Sequence, residues 1–69
     1  NDENYGTFIE EYCNYKIVLF EQTYFCFPTD KEDIDFFSTD YFSLDYVFYD
    51  VSISAIKELI NDECSKIIN

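Results

Sequence analysis

Residues 16–27, KIVLFEQTYFCF, predict the β-sheet around which the rest of the chain is arranged. β-Branched and aromatic residues lie on both sides of a short polar centre at residues 21–23, and these residue types suit a pleated, half-buried surface. One long strand and a tight hairpin both fit this pattern. The sequence Pro-Thr-Asp at residues 28–30 then ends the pattern.

Two helices are predicted, one on each side of the sheet-forming segments. Thr7 and Glu10 have the spacing of a capping box, in which each side chain satisfies a backbone N–H group of the first turn. Apolar residues then recur every three or four positions, which predicts an N-terminal helix over residues 7–15. Ser52 or Ser54 is expected to cap a C-terminal helix that ends near residue 68. Its apolar stripe consists of Ile53, Ile56, Leu59, Ile60, Cys64 and Ile67.

The middle of the chain is expected to complete the sheet. The segment 30–37 fits two structures, because its acidic first turn suits the start of a helix while residues 33–36 alternate acidic and apolar side chains as a strand does. Strand is the preferred interpretation. A turn at residues 38–40 leads into a further strand over residues 41–51. The sequence therefore predicts one acidic α+β domain over residues 1–69, a small antiparallel sheet with an N-terminal and a C-terminal helix.

The charge of the chain restricts the partners that it can bind. Fifteen Asp and Glu stand against four Lys, with no Arg and no His, and the formal net charge is -11. Such a field repels nucleic acids and anionic membranes, and it accelerates association with basic proteins. Solubility alone is the competing explanation, but a net charge magnitude of about 2 to 8 is enough for that purpose in a small domain. Direct nucleic-acid binding is therefore not expected.

The same composition predicts a protein without catalytic residues or cofactors. Without His there is no base whose ordinary pKa lies near neutrality, and without Arg there is no bidentate clamp for phosphate. Cys13, Cys26 and Cys64 form no CxxC or Cys/His pattern, so a disulfide framework is not expected, and Cys13 and Cys64 are interpreted as small buried apolar residues. The acidic run at residues 30–35 lacks the spacing of an EF-hand, so no metal site is predicted.

A partner-binding surface is predicted after residue 30, where carboxylates and aromatic residues alternate. Fifteen aromatic residues, each able to bury about 150–250 Å², provide more apolar area than so small a domain encloses easily. Carboxylates two apart on a strand are about 6.6 Å from each other, so a row of them presents a field similar in kind to that of a phosphate backbone. Tyrosine supplies contact area at low entropic cost. The predicted binding residues are Asp30, Glu32, Asp33, Asp35, Asp40 and Asp45, with Tyr41 and Tyr49 as aromatic anchors.

In size, acidity and aromatic content, the whole chain resembles the small inhibitors, termed DNA mimics, with which bacteriophages block host DNA-handling proteins. The resemblance implies binding to a basic DNA-binding protein of the host, such as a sliding clamp, a restriction or CRISPR nuclease, a DNA glycosylase or a nucleoid protein, and it implies a homodimer. Two other functions stay open: an acidic immunity protein or antitoxin that neutralises a basic toxin, and a structural assembly subunit.

The expected location is the cytoplasm, which would be the host-cell cytoplasm if a phage encodes the chain. The N-terminal residues do not combine a basic segment with an apolar stretch. The longest aliphatic run, at residues 17–20, is far too short to cross a bilayer. The sequence therefore predicts no membrane partner.

Overall fold

The computed structural model has a four-stranded antiparallel sheet, in which the strands follow the order of the sequence, and a helix after the last strand. It describes residues 2–68, with the side chains of residues 4–66. The elements in chain order are a 3₁₀ turn (Asp2–Tyr5), β1 (Thr7–Tyr12), β2 (Tyr15–Phe20), β3 (Thr23–Pro28), a second 3₁₀ turn (Tyr41–Ser43), β4 (Phe48–Asp50) and α1 (Ile53–Ile68). The protein is therefore α+β, with an antiparallel sheet and a C-terminal helix, as the sequence predicts.

Two tight hairpins build the first three strands. Cys13 and Asn14 join β1 to β2, and Glu21 and Gln22 join β2 to β3. All four residues have φ between 49° and 67°, the left-handed conformation that a two-residue type I′ turn requires. Residues 16–27 therefore form a hairpin and not one long strand.

The predicted N-terminal helix over residues 7–15 is wrong, because this segment forms β1 and the turn that follows it. A β-bulge shifts the pairing with β2 between Phe8 and Glu10. Ile9, within the bulge, and Tyr12, after it, both pack on the side of the sheet that faces α1. The bulge thus interrupts the two-residue alternation and gives apolar residues a three-residue spacing, which resembles that of a helix.

The helix α1 packs on one face of the sheet, and this element is confirmed. Of its predicted apolar stripe, Leu59 is instead exposed, and the side chain of Ile67 lies outside the described residues. Ile56 and Ile60 are fully buried against Ile17 of β2 and Cys26 of β3. Ser52 caps the helix: its Oγ accepts a hydrogen bond from the backbone N–H of Ala55 at 3.5 Å, and its carbonyl accepts one from Ile56 at 3.1 Å.

Residues 29–47, which we call the cover segment, connect β3 to β4 across the opposite face of the sheet. The backbone N–H of Thr29 donates to the carbonyl of Asn14 at 3.0 Å, and that of Phe36 donates to the carbonyl of Asn4 at 2.7 Å. The segment buries three apolar side chains against the sheet, so both faces of the sheet are covered. The buried cluster on this side comprises Val18, Phe25 and Phe27 from the sheet and Ile34, Phe36 and Val47 from the cover segment.

The strands predicted over residues 30–37 and 41–51 are wrong for most of their length. Residues 30–37 contain no paired strand, and only Phe48–Asp50 of the second segment pairs with β3. The alternation itself is real, since Ile34 and Phe36 are buried while Asp33 is exposed. These apolar residues dock onto the face of the sheet and not beside its edge, so alternation sets their burial without strand pairing.

Shortening Ile60 is expected to destabilise the protein. Ile60→Val removes one carbon from a fully buried side chain, and its neighbours fill the resulting void only in part, so the free energy of unfolding should fall by about 1 kcal/mol. Urea denaturation followed by circular dichroism measures the change. Ile53→Val is the matched control, because it removes the same group from a partly exposed position of the same helix and should cost less. Equal losses would contradict the buried face assigned to α1.

Gln22→Gly is expected to stabilise the β2–β3 hairpin. Gln22 has φ 66°, where a β-carbon is unfavourable and glycine is not, so the free energy of unfolding should rise by about 0.5–1 kcal/mol. Thermal denaturation at several urea concentrations measures the gain. Gln22→Ala retains the β-carbon and should give no gain, so equal stabilisation by both variants would show that the turn conformation is not the cause.

Candidate partner-binding surface

The cover segment contains seven of the eight residues that the sequence predicts to bind a partner. The eighth, Tyr49, lies on β4, where its ring contacts those of Phe25 and Phe42 at centroid distances of 5.8 and 5.3 Å. Tyr49 therefore lies on the sheet face that the cover segment crosses, whereas Asp30, near the start of the cover segment, lines a pocket with Cys64 of α1. The seven in the cover segment are Asp30, Glu32, Asp33, Asp35, Asp40, Tyr41 and Asp45.

Five of the six predicted carboxylates are exposed to solvent. The cover segment uses apolar side chains to contact the sheet, and no charged or polar residue among those with described side chains is buried. The acidic side chains consequently lie on the outer surface of the segment, where water solvates their charge at little cost. The five exposed residues are Asp30, Glu32, Asp33, Asp40 and Asp45.

Asp35 differs from the other five because it holds a turn of the cover segment. Its Oδ1 accepts a hydrogen bond from the backbone N–H of Phe37 at 3.0 Å, and its carbonyl accepts one from Thr39 at 2.9 Å. Desolvation acts to raise the pKa of the Asp35 carboxyl, but hydrogen bonds from Phe37, Ser38 and the Asn4 side chain outweigh it, so the pKa lies below its usual value. This carboxylate is therefore a structural group of the surface.

The four lysines of the chain, which are its only cationic side chains, all interact with other parts of the chain. Lys16 pairs with Asp33 at 2.6 Å, and two further ion pairs lie outside the cover segment. The ammonium group of Lys31 lies 5.0 Å from the centre of the Tyr46 ring. Within the described part of the chain, Asp30, Glu32, Asp40 and Asp45 have no ion-pair partner. The two other pairs join Lys57 to Glu10 at 3.0 Å and Lys66 to Glu63 at 3.0 Å.

Exposed aromatic rings lie among these carboxylates. Phe37 and Phe42 are each 65% exposed, and Tyr49 is 50% exposed. The ring of Tyr41 is instead partly buried, 5.1 Å from the ring centres of both Phe25 and Phe36. Tyr41 thus attaches the cover segment to the sheet, and Phe37, Phe42 and Tyr49 are the exposed aromatic residues of the cover segment and β4.

Phe42 is a candidate contact residue that sequence reasoning did not include. A strand over residues 41–51, as predicted, would place Phe42 on one face with Leu44, Tyr46 and Phe48 and would place Tyr41 and Tyr49 on the other. In the structure the 3₁₀ turn at Tyr41–Ser43 directs Tyr41 inward and leaves Phe42 exposed. A short turn of this kind leaves no periodic signal in the sequence, so the pattern of residues alone does not distinguish the two rings.

The described part of the chain offers little for other kinds of site. Among its residues, no three His, Cys, Asp or Glu side chains are grouped in a way that would hold a metal ion. No helix among them has the length and apolar character needed to cross a membrane.

Comparison of the chain with protein-family models, with curated proteins and with solved structures finds no match. The residues and geometry of this surface are therefore the basis on which its function is argued.

Asp35→Asn is expected to remove an acid-sensitive part of the stability. A carboxyl with a lowered pKa stabilises the folded state above its unfolded pKa of about 3.9, and this contribution disappears as the pH falls through the folded pKa. The variant should therefore be less stable than the wild type at neutral pH, and the difference should narrow below about pH 4. Urea denaturation across this pH range measures the free energy of unfolding of the variant and of the wild type.

Asp45→Asn is the control for this prediction, because Asp45 is exposed and the structure gives it no hydrogen-bond partner. The free energy of unfolding of Asp45→Asn should differ little from that of the wild type across the whole pH range. A difference for Asp35→Asn that does not change with pH would contradict the role assigned to the Asp35 carboxylate.

Proposed function

We propose that this protein is a non-enzymatic inhibitor that mimics DNA and covers the positively charged nucleic-acid-binding surface of a host protein. The observation that carries the proposal is the group of four exposed carboxylates on the cover segment, Asp30, Glu32, Asp40 and Asp45, which no cation in the described chain neutralises. Inhibition would follow from steric competition, since a basic groove occupied by this surface has no room for DNA.

The density of charge supports the same proposed function. A net charge of -11 along a longest dimension of 39 Å amounts to one negative charge per about 3.5 Å. One strand of duplex DNA carries a phosphate charge per about 3.4 Å. This mean spacing counts charges on all sides of the chain, so it supports strong overall attraction to a basic groove and not a matched row of charges.

The exposed rings supply the second part of the proposed contact. Phe37, Phe42 and Tyr49 provide apolar area beside the carboxylates, and Phe42 and Tyr49 already contact each other edge to face. Aromatic residues held in place by neighbours lose little freedom on binding and often contribute most of the affinity of an interface. The carboxylates would set the rate and salt dependence of association, and the rings would slow dissociation.

The homodimer expected from the resemblance remains a prediction, and its response to salt differs from that of the proposed complex. Two copies of charge -11 repel each other at low salt, so a dimer should tighten as salt screens this repulsion. A complex with a basic partner should weaken over the same range. Sedimentation at low and high salt separates the two kinds of association.

The proposed function predicts that duplex DNA displaces the partner. The immobilised chain is incubated with nuclease-treated bacterial lysate at about 50 mM salt and eluted with duplex DNA or with sodium chloride of matched ionic strength. The retained protein should elute with DNA only. In the double variant Asp40→Asn, Asp45→Asn, its affinity should fall by about tenfold, because two charges that face the partner are lost.

The matched control is Glu58→Gln with Asp62→Asn, which removes the same net charge from exposed positions of α1. This control should weaken binding much less. Equal losses of affinity in the two double variants would show that the effect depends on net charge alone. A partner that still binds DNA while this protein holds it would favour the immunity-protein alternative. Recovery of only further copies of the chain, at low and high salt, would favour an assembly subunit.

A further inference from the structure

Two cysteines separated by 51 positions in the sequence lie side by side in the structure. Cys13 belongs to the β1–β2 turn and Cys64 to the C-terminal half of α1. The thiol of Cys64 donates a hydrogen bond to the backbone carbonyl of Cys13, with the Sγ 3.5 Å from the oxygen, and both cysteines line one pocket. The sequence interpretation of Cys13 as a buried residue is wrong, because Cys13 is exposed in the turn, while Cys64 is partly buried.

The two thiols open onto a pocket of about 560 Å³, a size within the range of small-molecule sites. Its wall is mostly apolar, and the exposed Cys13 allows a small reagent to reach the pair. The other residues that line the pocket are Asn14, Tyr15, Pro28, Thr29 and Asp30.

We propose that Cys13 and Cys64 are a thiol-modification site that reacts with low-molecular-weight disulfides, such as oxidised glutathione, to form a disulfide between the β1–β2 turn and α1. The inference is independent of the proposed function, since it rests on the position of the two thiols alone.

The reaction proceeds in two exchange steps. The Cys13 thiolate attacks one sulfur of oxidised glutathione, which forms a mixed disulfide and releases one glutathione thiolate. The Cys64 thiolate then attacks the Cys13 sulfur, forms the protein disulfide and releases the second glutathione. Two protein thiols are oxidised, one glutathione disulfide is reduced to two thiols, and the two protons of the protein thiols pass to the two glutathione thiolates.

The pH dependence of the second step follows from the surroundings of Cys64. Desolvation raises the pKa of the Cys64 thiol, and the hydrogen bond to Cys13 and the nearby charge of Glu63 raise it further. Because the thiolate is the attacking species, disulfide closure should become faster as the pH rises above neutrality.

Cys26 is an internal control for this site. It is fully buried between the sheet and α1, and burial raises the pKa of its thiol to about 12. A thiol that is inaccessible and protonated does not exchange with glutathione disulfide. The odd number of cysteines therefore fits one reactive pair and one inert residue.

A disulfide at this position would stabilise the folded chain. It closes a loop of about fifty residues, which reduces the conformational freedom of the unfolded state, and a domain of this size gains much from such a constraint. The oxidised chain should melt about 10 °C or more above the reduced chain, and a thiol reductant should reverse the shift.

Peptide mapping tests the proposal directly. The full chain is incubated with oxidised glutathione, its remaining thiols are alkylated under denaturing conditions, and it is cleaved after lysine. The four lysines place each cysteine in a separate peptide, at residues 1–16, 17–31 and 58–66. The expected product is a monomer that has lost two hydrogens, in which peptide 1–16 is linked to peptide 58–66 and Cys26 is alkylated.

Three variants complete the experiment. Cys13→Ser and Cys64→Ser should each abolish the link, whereas Cys26→Ala should leave it intact. Separate glutathione adducts on Cys13 and Cys64 without the link, or links only between two copies of the chain, would overturn the proposal. An oxidised monomer that melts no higher than the reduced one would also overturn it, because the bond would then form only by distorting the fold.

Discussion

The two central strands are apolar on both faces, and the rest of the chain is arranged to satisfy this constraint. In β3, the successive residues Phe25, Cys26 and Phe27 are all at most 3% exposed. Because successive side chains of a strand point to opposite faces, such a run is stable only if both faces of the sheet are covered. In β2, Ile17 and Val18 impose the same requirement. With 69 residues available, α1 covers one face and the connection between β3 and β4 covers the other.

This requirement also sets where the charge lies. The cover segment is held by a cluster of rings, of which Phe36 stacks on Phe20 at 4.5 Å and Tyr41 meets Phe25 edge to face at 5.1 Å. Each such pair contributes about 0.5–1.5 kcal/mol beyond its buried area, so apolar contacts are sufficient to hold the segment. Because packing holds the cover segment, most of its carboxylates take no part in its attachment. The exceptions are Asp35, which accepts a hydrogen bond within a turn, and Asp33, whose ion pair with Lys16 is the one described ionic contact between the segment and a strand.

Predictions from the sequence succeeded where the local pattern and the tertiary contacts agree. The helix α1, its buried residues Ile56 and Ile60 and its Ser52 cap were predictable, because the residues that form the helix also bury it. The predictions from the sequence failed where a local signal competes with a longer-range contact. Thr7 and Glu10 have the spacing of a capping box, but pairing with β2 and a bulge beside Glu10 make the segment a strand. In the cover segment, the alternation at residues 33–36 matches the burial of Ile34 and Phe36, but the alternation after residue 41 does not match the exposure of Phe42 and the burial of Val47. Alternation also does not distinguish an edge strand from a segment lying across a sheet face. Five of the six predicted acidic residues are exposed, but their role in binding stays a prediction, and the exposure of Phe42 depends on a turn that leaves no periodic signal.

The cover segment contributes no strand to the sheet, and this has a consequence for how the protein can change over evolutionary time. Its backbone is free of the ladder of hydrogen bonds that fixes residue choice in β2 and β3. Selection acts on its inward positions, such as Ile34 and Phe36, through the core, and on its outward positions through whatever they contact. Outward carboxylates can therefore be gained, lost or shifted by single substitutions while the scaffold stays the same. The surface chemistry of one side of the molecule can therefore change while the covered sheet is preserved.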